Sequence, residues 1–291
     1  MTNTIRAAAV QMDVYIGENN RNLQRVLERL EDAAKNGAQL VVFPECALSG
    51  YCFNSLDEAT KFADVFGPQP FGEFQRVCMR YDVMGVIGFL QYRKSNEAIY
   101  NAAWYSARGG PRQSGDRELD IEEKGVYWKT HLPTLGVDRF VSPGHKLFVH
   151  DGHLARVGIL ICYDIRFPEA ARVLGLQGAD IIALPTNWPE GAESSPDFIT
   201  RTRAWENRVY VVAANRVGVE RGRRFIGRSQ IVSPNGEILI EAGPEEETII
   251  YADLDLNLAR QKRIVIEPGE WELDITGDRR PDLYGELVKG G

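Results

Sequence analysis

Apolar positions along this chain fall into two rhythms. Residues 7–12 form a short apolar run, and residues 40–43 form another, ended by Pro44. Between them, residues 19–36 carry Leu23, Val26, Leu27, Leu30 and Ala34 at helical spacing, with Gly37 as a C-terminal stop. The spacing next predicts a helix over 71–81, a strand over 83–92 and a further strand over 99–106. Residues 108–120, polar and rich in Gly and Arg, read as a surface loop or hairpin end.

The second half repeats the alternation. Strands are predicted over 155–162, 180–185 and 210–214, with helices over 168–176 and 197–208 between them. Three more β segments follow at 227–232, 237–241 and 248–253, and Ser233-Pro234-Asn235-Gly236 joins the first two with hairpin-turn chemistry. A short helix over 254–262 precedes a tail, 264–291, that shows little periodicity. Strands such as 40–43 and 181–184 are apolar at nearly every position, so both faces of their sheets need cover. Helices and strands interleave with no linker-like stretch between them. The prediction is one α/β domain over 1–263, of layered sheets with helices outside, and a C-terminal extension over 264–291.

Charge and cysteine usage remove several classes of function. The 291 residues include 34 Lys and Arg against 41 Asp and Glu, a formal charge of −7, which argues against a general nucleic-acid binder. No apolar run approaches the roughly 20 residues of a membrane helix. The N-terminal apolar stretch is too short for a secretory signal. Cys46, Cys52, Cys78 and Cys162 form no CxxC pair and no grid with the four His, which disfavours structural zinc and a disulfide framework. The expectation is a cytoplasmic protein.

Reactive groups in strand-rich α/β folds gather where strands end, and three such ends carry unusual residues. Glu45 follows the 40–43 strand and Pro44. Near the apolar layer its carboxyl would be fitted to exchange a proton at neutral pH; in an open loop it would be an ordinary surface Glu. Lys129 stands among Tyr127, Trp128 and His131. It reads either as a fixed cation for developing negative charge or as a stem covering aromatic surface. Cys162 closes an apolar strand, and a short turn leads from it into a Pro168-started helix. Such an elbow offers backbone N–H groups and is expected to lower the thiol pKa. Cys46, Cys52 and Cys78 lack that setting and read as inert. None of the four His stands at a comparable strand end, so a carboxylate with a Lys is the alternative way to activate the thiol.

Phe43-Pro44-Glu45, Lys129-Thr130-His131-Leu132-Pro133 and Cys162-Tyr163-Asp164-Ile165-Arg166-Phe167-Pro168-Glu169 together resemble the three signature segments of the nitrilase superfamily of carbon–nitrogen hydrolases. The likeness extends to Ala8-Ala9-Val10-Gln11-Met12, Arg203-Ala204-Trp205-Glu206-Asn207, and Gly227-Arg228-Ser229 with Pro234-Asn235-Gly236-Glu237. It implies a four-layer α-β-β-α sandwich with no metal or organic cofactor. By the same resemblance Glu45 is the general base, Lys129 the oxyanion-stabilising cation and Cys162 the nucleophile, with the Tyr163 N–H as a second oxyanion donor. Family members often carry a second Glu shortly after the Lys segment. Residues 135–144 hold none, and Asp138 is the nearest carboxylate, either in that role or on a surface loop.

The resemblance also bears on substrate. Members acting on nitriles commonly show Trp-Glu after the Cys, whereas Tyr163-Asp164 is similar to the amidases. The expected reaction is hydrolysis of a small carboxamide through a thioester. Tyr51, Phe53, Tyr163, Asn187 and Trp188 are expected to line the pocket, and Arg166 and Arg139 are candidate partners for a substrate carboxylate. The alternatives are hydrolysis of an N-carbamoyl compound or a nitrile, acyl transfer, and a catalytically silent member of the fold. The tail, with Glu267-Pro268-Gly269 and the Arg279–Tyr284 segment, resembles an extension that crosses a dimer interface. A homodimer or higher homo-oligomer anchored by Leu283 and Tyr284 is the expected assembly.

Overall fold

The computed structural model describes residues 3–63, 69–108 and 125–289. Most of the predicted loop over 108–120 lies outside the described residues. In chain order the first half holds β1 (Thr4–Gln11), α1 (Asn19–Lys35), β2 (Leu40–Val42), α2 (Leu56–Thr60), α3 (Gln69–Tyr81), β3 (Met84–Arg93), β4 (Ala98–Ser106) and β5 (Val126–Trp128). Next come β6 (Val149–Asp151), β7 (Arg156–Ile159), α4 (Pro168–Leu176), β8 (Ile181–Thr186), α5 (Thr200–Asn207) and β9 (Tyr210–Asn215). The chain continues through β10 (Val219–Glu220), β11 (Arg223–Arg224), β12 (Gln230–Val232), β13 (Ile238–Glu241), β14 (Thr248–Asp255) and α6 (Leu256–Arg260). It finishes with β15 (Arg263–Glu267), β16 (Trp271–Asp274) and two short 3-10 turns.

Two six-stranded sheets result, in the orders β14-β1-β2-β3-β4-β5 and β13-β12-β9-β8-β7-β6. Each has a parallel centre, β1-β2-β3 and β7-β8-β9, with antiparallel strands at its sides. The alternation of side chains along a strand decides which layer each residue enters. Ala7 and Ala9 of β1, with Leu40 and Val42 of β2, face Val157, Ile181, Ala183 and Val212 of the other sheet. The intervening Ala8, Val10 and Val41 meet Val26, Leu30 and Ala33 of α1 and Phe74 of α3. Every position of β2 and β8 is therefore buried. On the far side, Ala170, Ala171 and Leu174 of α4 join the core of the second sheet. The fold is the α-β-β-α sandwich that the resemblance implies, and its covered sheets are those that the two-sided apolar strands predict.

Several elements differ from expectation. The short helix α2 and the edge strand β6 carry no clear period and are absent from the sequence reading. Of the strand expected over 227–232 only Gln230–Val232 pairs, because Gly227 and Arg228 both take positive φ and turn the chain. The helix expected from 197 opens as a π turn at Ser195–Ile199 before α5. The tail is not simply extended, since β15 and β16 form an antiparallel hairpin across the Pro268-Gly269 turn. No described helix is long and apolar enough to cross a membrane.

Candidate active site

Strand ends gather the three sequence-predicted groups around one buried cluster. Glu45 lies three residues beyond β2, and the chain there passes directly over β3. A Cβ built on Gly88 would stand 2.4 Å from the Pro44 carbonyl oxygen and 2.7 Å from the Glu45 Cα. Only glycine leaves room for that crossing. Lys129 follows β5 and stays paired with β4, its N–H donating to the Asn101 carbonyl at 2.8 Å. Glu45 and Lys129 are both fully buried.

The Lys129 ammonium is held between two carboxylates, with Nζ 2.7 Å from Glu45 Oε1 and 2.5 Å from Asp138 Oδ2. Asn101 closes the triangle, donating from Nδ2 to Glu45 Oε1 at 2.6 Å and to Asp138 Oδ1 at 2.8 Å. The Tyr51 hydroxyl donates to Asp138 Oδ2 at 2.7 Å, and the Tyr51 ring lies 5.9 Å from the ammonium. Asp138 sits on a 3-10 turn, Gly136–Arg139, and is buried, so the surface-loop alternative is excluded. Burial opposes the Lys129 charge, but Asp138 and Glu45 outweigh it and hold the ammonium well above its ordinary range. Burial also raises the Glu45 carboxyl, and the Asp138 charge adds to that; Lys129 and Asn101 pull it back. With Oε1 engaged twice, Glu45 Oε2 is buried without a hydrogen-bond partner. That oxygen is available for a proton.

Cys162 joins this cluster electrostatically, raised by the Glu45 charge and lowered by Lys129. It takes φ +47°, a left-handed conformation that costs a residue with a Cβ about 1–3 kcal/mol. Asp164, fully buried, secures the elbow. Its Oδ2 accepts from the Ile161 N–H at 2.9 Å and the Tyr127 hydroxyl at 2.8 Å. Its Oδ1 accepts from the His131 N–H and the Thr130 hydroxyl, each at 2.9 Å. One carboxylate thus binds the residues just before Cys162 to those flanking Lys129. His131 stacks on Phe167 with ring centroids 3.8 Å apart and has Nδ1 2.8 Å from Asp164 Oδ1.

The expected low thiol pKa is not found. Burial, and then the Glu45 charge, push Cys162 up to about 12. The reason is local: a 3-10 turn, Cys162–Arg166, intervenes, and α4 begins only at Pro168, so no α-helix N-terminus abuts the sulfur. Thr186, the last residue of β8, and the Asn187 backbone just beyond it offset part of the rise. The other cysteines are free thiols raised chiefly by burial, Cys52 and Cys78 to about 12 and Cys46 well above its ordinary value.

Of the expected pocket residues, Tyr51, Phe53, Asn187 and Trp188 are buried and Tyr163 is half-buried. Both polar atoms of the Asn187 side chain and the Trp188 indole nitrogen lack partners. Arg166 is exposed, within 3.5 Å of the Ser194 hydroxyl. Arg139 donates to the Gly136 and Phe53 carbonyls at 3.0 and 2.9 Å, and to no carboxylate among the described residues. Sequence reasoning missed Asn101, which was findable as a lone polar residue inside an apolar strand. Among the described residues no group of three or more His, Cys, Asp or Glu is placed to hold a metal ion.

Two stacked sheets with a Glu, a Lys and a Cys converging at their strand ends define a class of hydrolase fold, the nitrilase-type sandwich. The chain belongs to the carbon–nitrogen hydrolase family, whose model matches residues 6–264. It is 38% identical to a protein named nitrilase from Pyrococcus abyssi, covering 96% of this chain and 99% of that one. It is 31% identical to omega-amidase NIT2 of Bos taurus, covering 97% of each. The crystal structure of Saccharomyces cerevisiae Nit3, a member of branch 10 of the nitrilase superfamily, superposes with a TM-score of 0.75 at 27% identity. That match covers 89% of this chain and 92% of that one.

Proposed function

We propose that this carbon–nitrogen hydrolase cleaves a small carboxamide to carboxylate and ammonia through a thioester on Cys162. The observation that carries the reading is the buried Lys129 clasped by Glu45 and Asp138 in electrostatic contact with Cys162. At rest the sulfur is a thiol and Glu45 a carboxylate. Glu45 takes the thiol proton on Oε2 as sulfur attacks the amide carbon, so no free thiolate accumulates. The C=O π pair moves to oxygen, and the oxyanion meets the Lys129 ammonium and the Tyr163 N–H. Protonated Glu45 then gives its proton to nitrogen, the C–N bond breaks, and ammonia leaves a thioester. Water attacks that carbon while Glu45 takes its proton, and collapse returns the proton to sulfur and frees the acid. In this reading Asp138 does the work of the second Glu by fixing the Lys129 charge.

The amide preference is supported by Tyr163-Asp164 after the Cys and by the omega-amidase relative. Asn187, with an unpaired donor and an unpaired acceptor, suits the polar end of such a substrate. Nitrile hydrolysis is the second reading, favoured by the name of the Pyrococcus relative. Ammonia release from a panel of ω-carboxamides of dicarboxylic acids, ureido acids and nitriles separates these. The expected result is turnover of a carboxamide, a trapped acyl-enzyme mass on Cys162, and no turnover by Cys162→Ala. Activity in Cys162→Ala would sink the mechanism.

We further propose a homodimer in a reducing, cytosolic compartment. The free thiols support the compartment. Leu283 is 66% exposed and Tyr284 37%, beside Leu287 and Val288, which leaves an apolar tail face uncovered in one copy. Light scattering is expected to give at least twice the chain mass, and a monomer at working concentration would reject the assembly.

A further inference from the structure

A buried network around one ion pair outside the reacting groups joins the two halves of the chain. Arg216 follows β9 and Glu220 lies in β10, and both are almost fully buried. Arg216 Nη1 donates to Glu220 Oε2 at 2.8 Å. Its Nη2 donates to Asp13 Oδ1 at 2.8 Å and to the Val14 carbonyl at 2.6 Å, and the guanidinium lies 4.3 Å from the Phe225 ring centre. The second Glu220 oxygen serves a different segment. Oε1 accepts the Tyr51 N–H at 2.9 Å and the Cys52 N–H at 2.6 Å. Buried pairs contribute little net stability, because desolvation offsets their attraction, so this geometry asks for another role.

We propose that Glu220 is a positioning residue for the Glu45–Lys129–Asp138 cluster, acting through Tyr51. The inference rests on the reading of that cluster given above. The path is continuous. Arg216 orients Glu220, and Glu220 holds the Tyr51 amide. The Val137 N–H donates to the Tyr51 carbonyl at 2.8 Å, and the Tyr51 hydroxyl reaches the Asp138 oxygen that binds Lys129. Tyr51 is thereby gripped at its nitrogen, its carbonyl and its hydroxyl. The turn has little room to drift, since a Cβ on Gly50 would lie 2.6 Å from the Ile16 Cα and 2.9 Å from Glu220 Oε2. Removing the Glu220 charge breaks its pairing with Arg216, so the acceptor that holds the Tyr51 turn is no longer fixed and the Tyr51 hydroxyl shifts from Asp138.

The test reads the cluster through alkylation of Cys162 by iodoacetamide, followed by intact mass with Cys162→Ala as the blank. This needs no assumption about substrate. Glu220→Gln keeps the side-chain shape and one acceptor for the two amides, but turns an amide NH2 toward Arg216. Glu220→Gln and Tyr51→Phe are each expected to slow alkylation about tenfold to a hundredfold, as for a displaced reacting group. The double variant is expected to be no slower than the slower single one, because both act through one hydroxyl. An unchanged rate in Glu220→Gln, or effects that multiply in the double variant, would overturn the proposal. So would failure of both Glu220→Gln and Glu220→Asp to fold, which would leave Glu220 a stability role alone. Failure of the amidase reading shows separately, as absence of ammonia release from every amide with the alkylation cycle intact.

Discussion

Asp138 exerts two separable effects on the cluster. It holds the Lys129 ammonium at 2.5 Å, and its charge raises the Glu45 carboxyl. In the proposed mechanism Glu45 has to be ionised to take the thiol proton, and its pKa stands above the ordinary 4.5, first through burial. Activity is therefore retained above that raised value and falls as pH drops through it. Asp138→Asn is expected to lower kcat/KM by about a hundredfold, as for a mispositioned catalytic cation. It is also expected to move the acid limb of the pH profile downward, because one source of the Glu45 shift is gone. A fall in rate with an unmoved acid limb would separate Asp138 from Glu45. Glu45→Gln is expected to cost about a hundredfold to ten-thousandfold and to erase the acid limb altogether. Cys162 stood out at its strand end, whereas Glu45 and Lys129 were singled out only once the three signature segments were read together, and Asp138 only because that resemblance implies a carboxylate after the Lys segment. The raised thiol pKa was not legible, since it comes from burial and then from the Glu45 charge, which only the folded packing brings to Cys162.

At the scale of elements, the sites are only as exact as the crossings that hold them. Glu45 is placed by β2 running out over β3 at Gly88. Gly88→Ala puts a methyl against the backbone of residues 44–46, where no side-chain rotation relieves it. The expected outcome is a loss of about 1–3 kcal/mol in denaturant unfolding, of the order seen for overpacked sites. It should bring a drop in kcat larger than any change in KM, because the base moves before the pocket does. A variant as active and as stable as the parent would mean that β3 does not set the base. Elements with a clear pattern, such as the one-faced α1 and the continuously apolar β8, were readable from spacing alone. The β15–β16 hairpin was not, because Val265, Ile266, Trp271 and Leu273 leave it apolar on exposed surface and erase the alternation. β6 was missed for a related reason: Val149-His150-Asp151 puts a histidine where a strand core residue belongs.

That histidine matters to the whole molecule. The layering of two sheets was implied by strands apolar on both faces, yet nothing in the spacing says that His150 enters the interface between them. It is fully buried on an edge strand of the second sheet and stacks on Tyr105 of β4 in the first, with ring centroids 4.4 Å apart. Neither ring nitrogen has a hydrogen-bond partner, and burial lowers its pKa from 6.5 to about 3. The unfolded chain therefore binds a proton below pH 6.5 that the folded chain refuses until about pH 3. Because the unfolded state holds more protons across that window, its stability relative to the native state improves as pH falls. The stabilisation associated with neutral His150 is complete above pH 6.5 and is lost on acidification. The loss amounts to roughly 2 kcal/mol near pH 5 and about 4–5 kcal/mol near pH 3, at 1.36 kcal/mol per unit. His150→Phe keeps a flat ring against Tyr105 without a titratable nitrogen. Guanidinium unfolding at pH 7.5, 6, 5 and 4 is expected to show the parent losing stability faster than His150→Phe at every step below 6.5. Equal pH slopes in the two proteins would mean that the sheets are not held together over an uncharged His150.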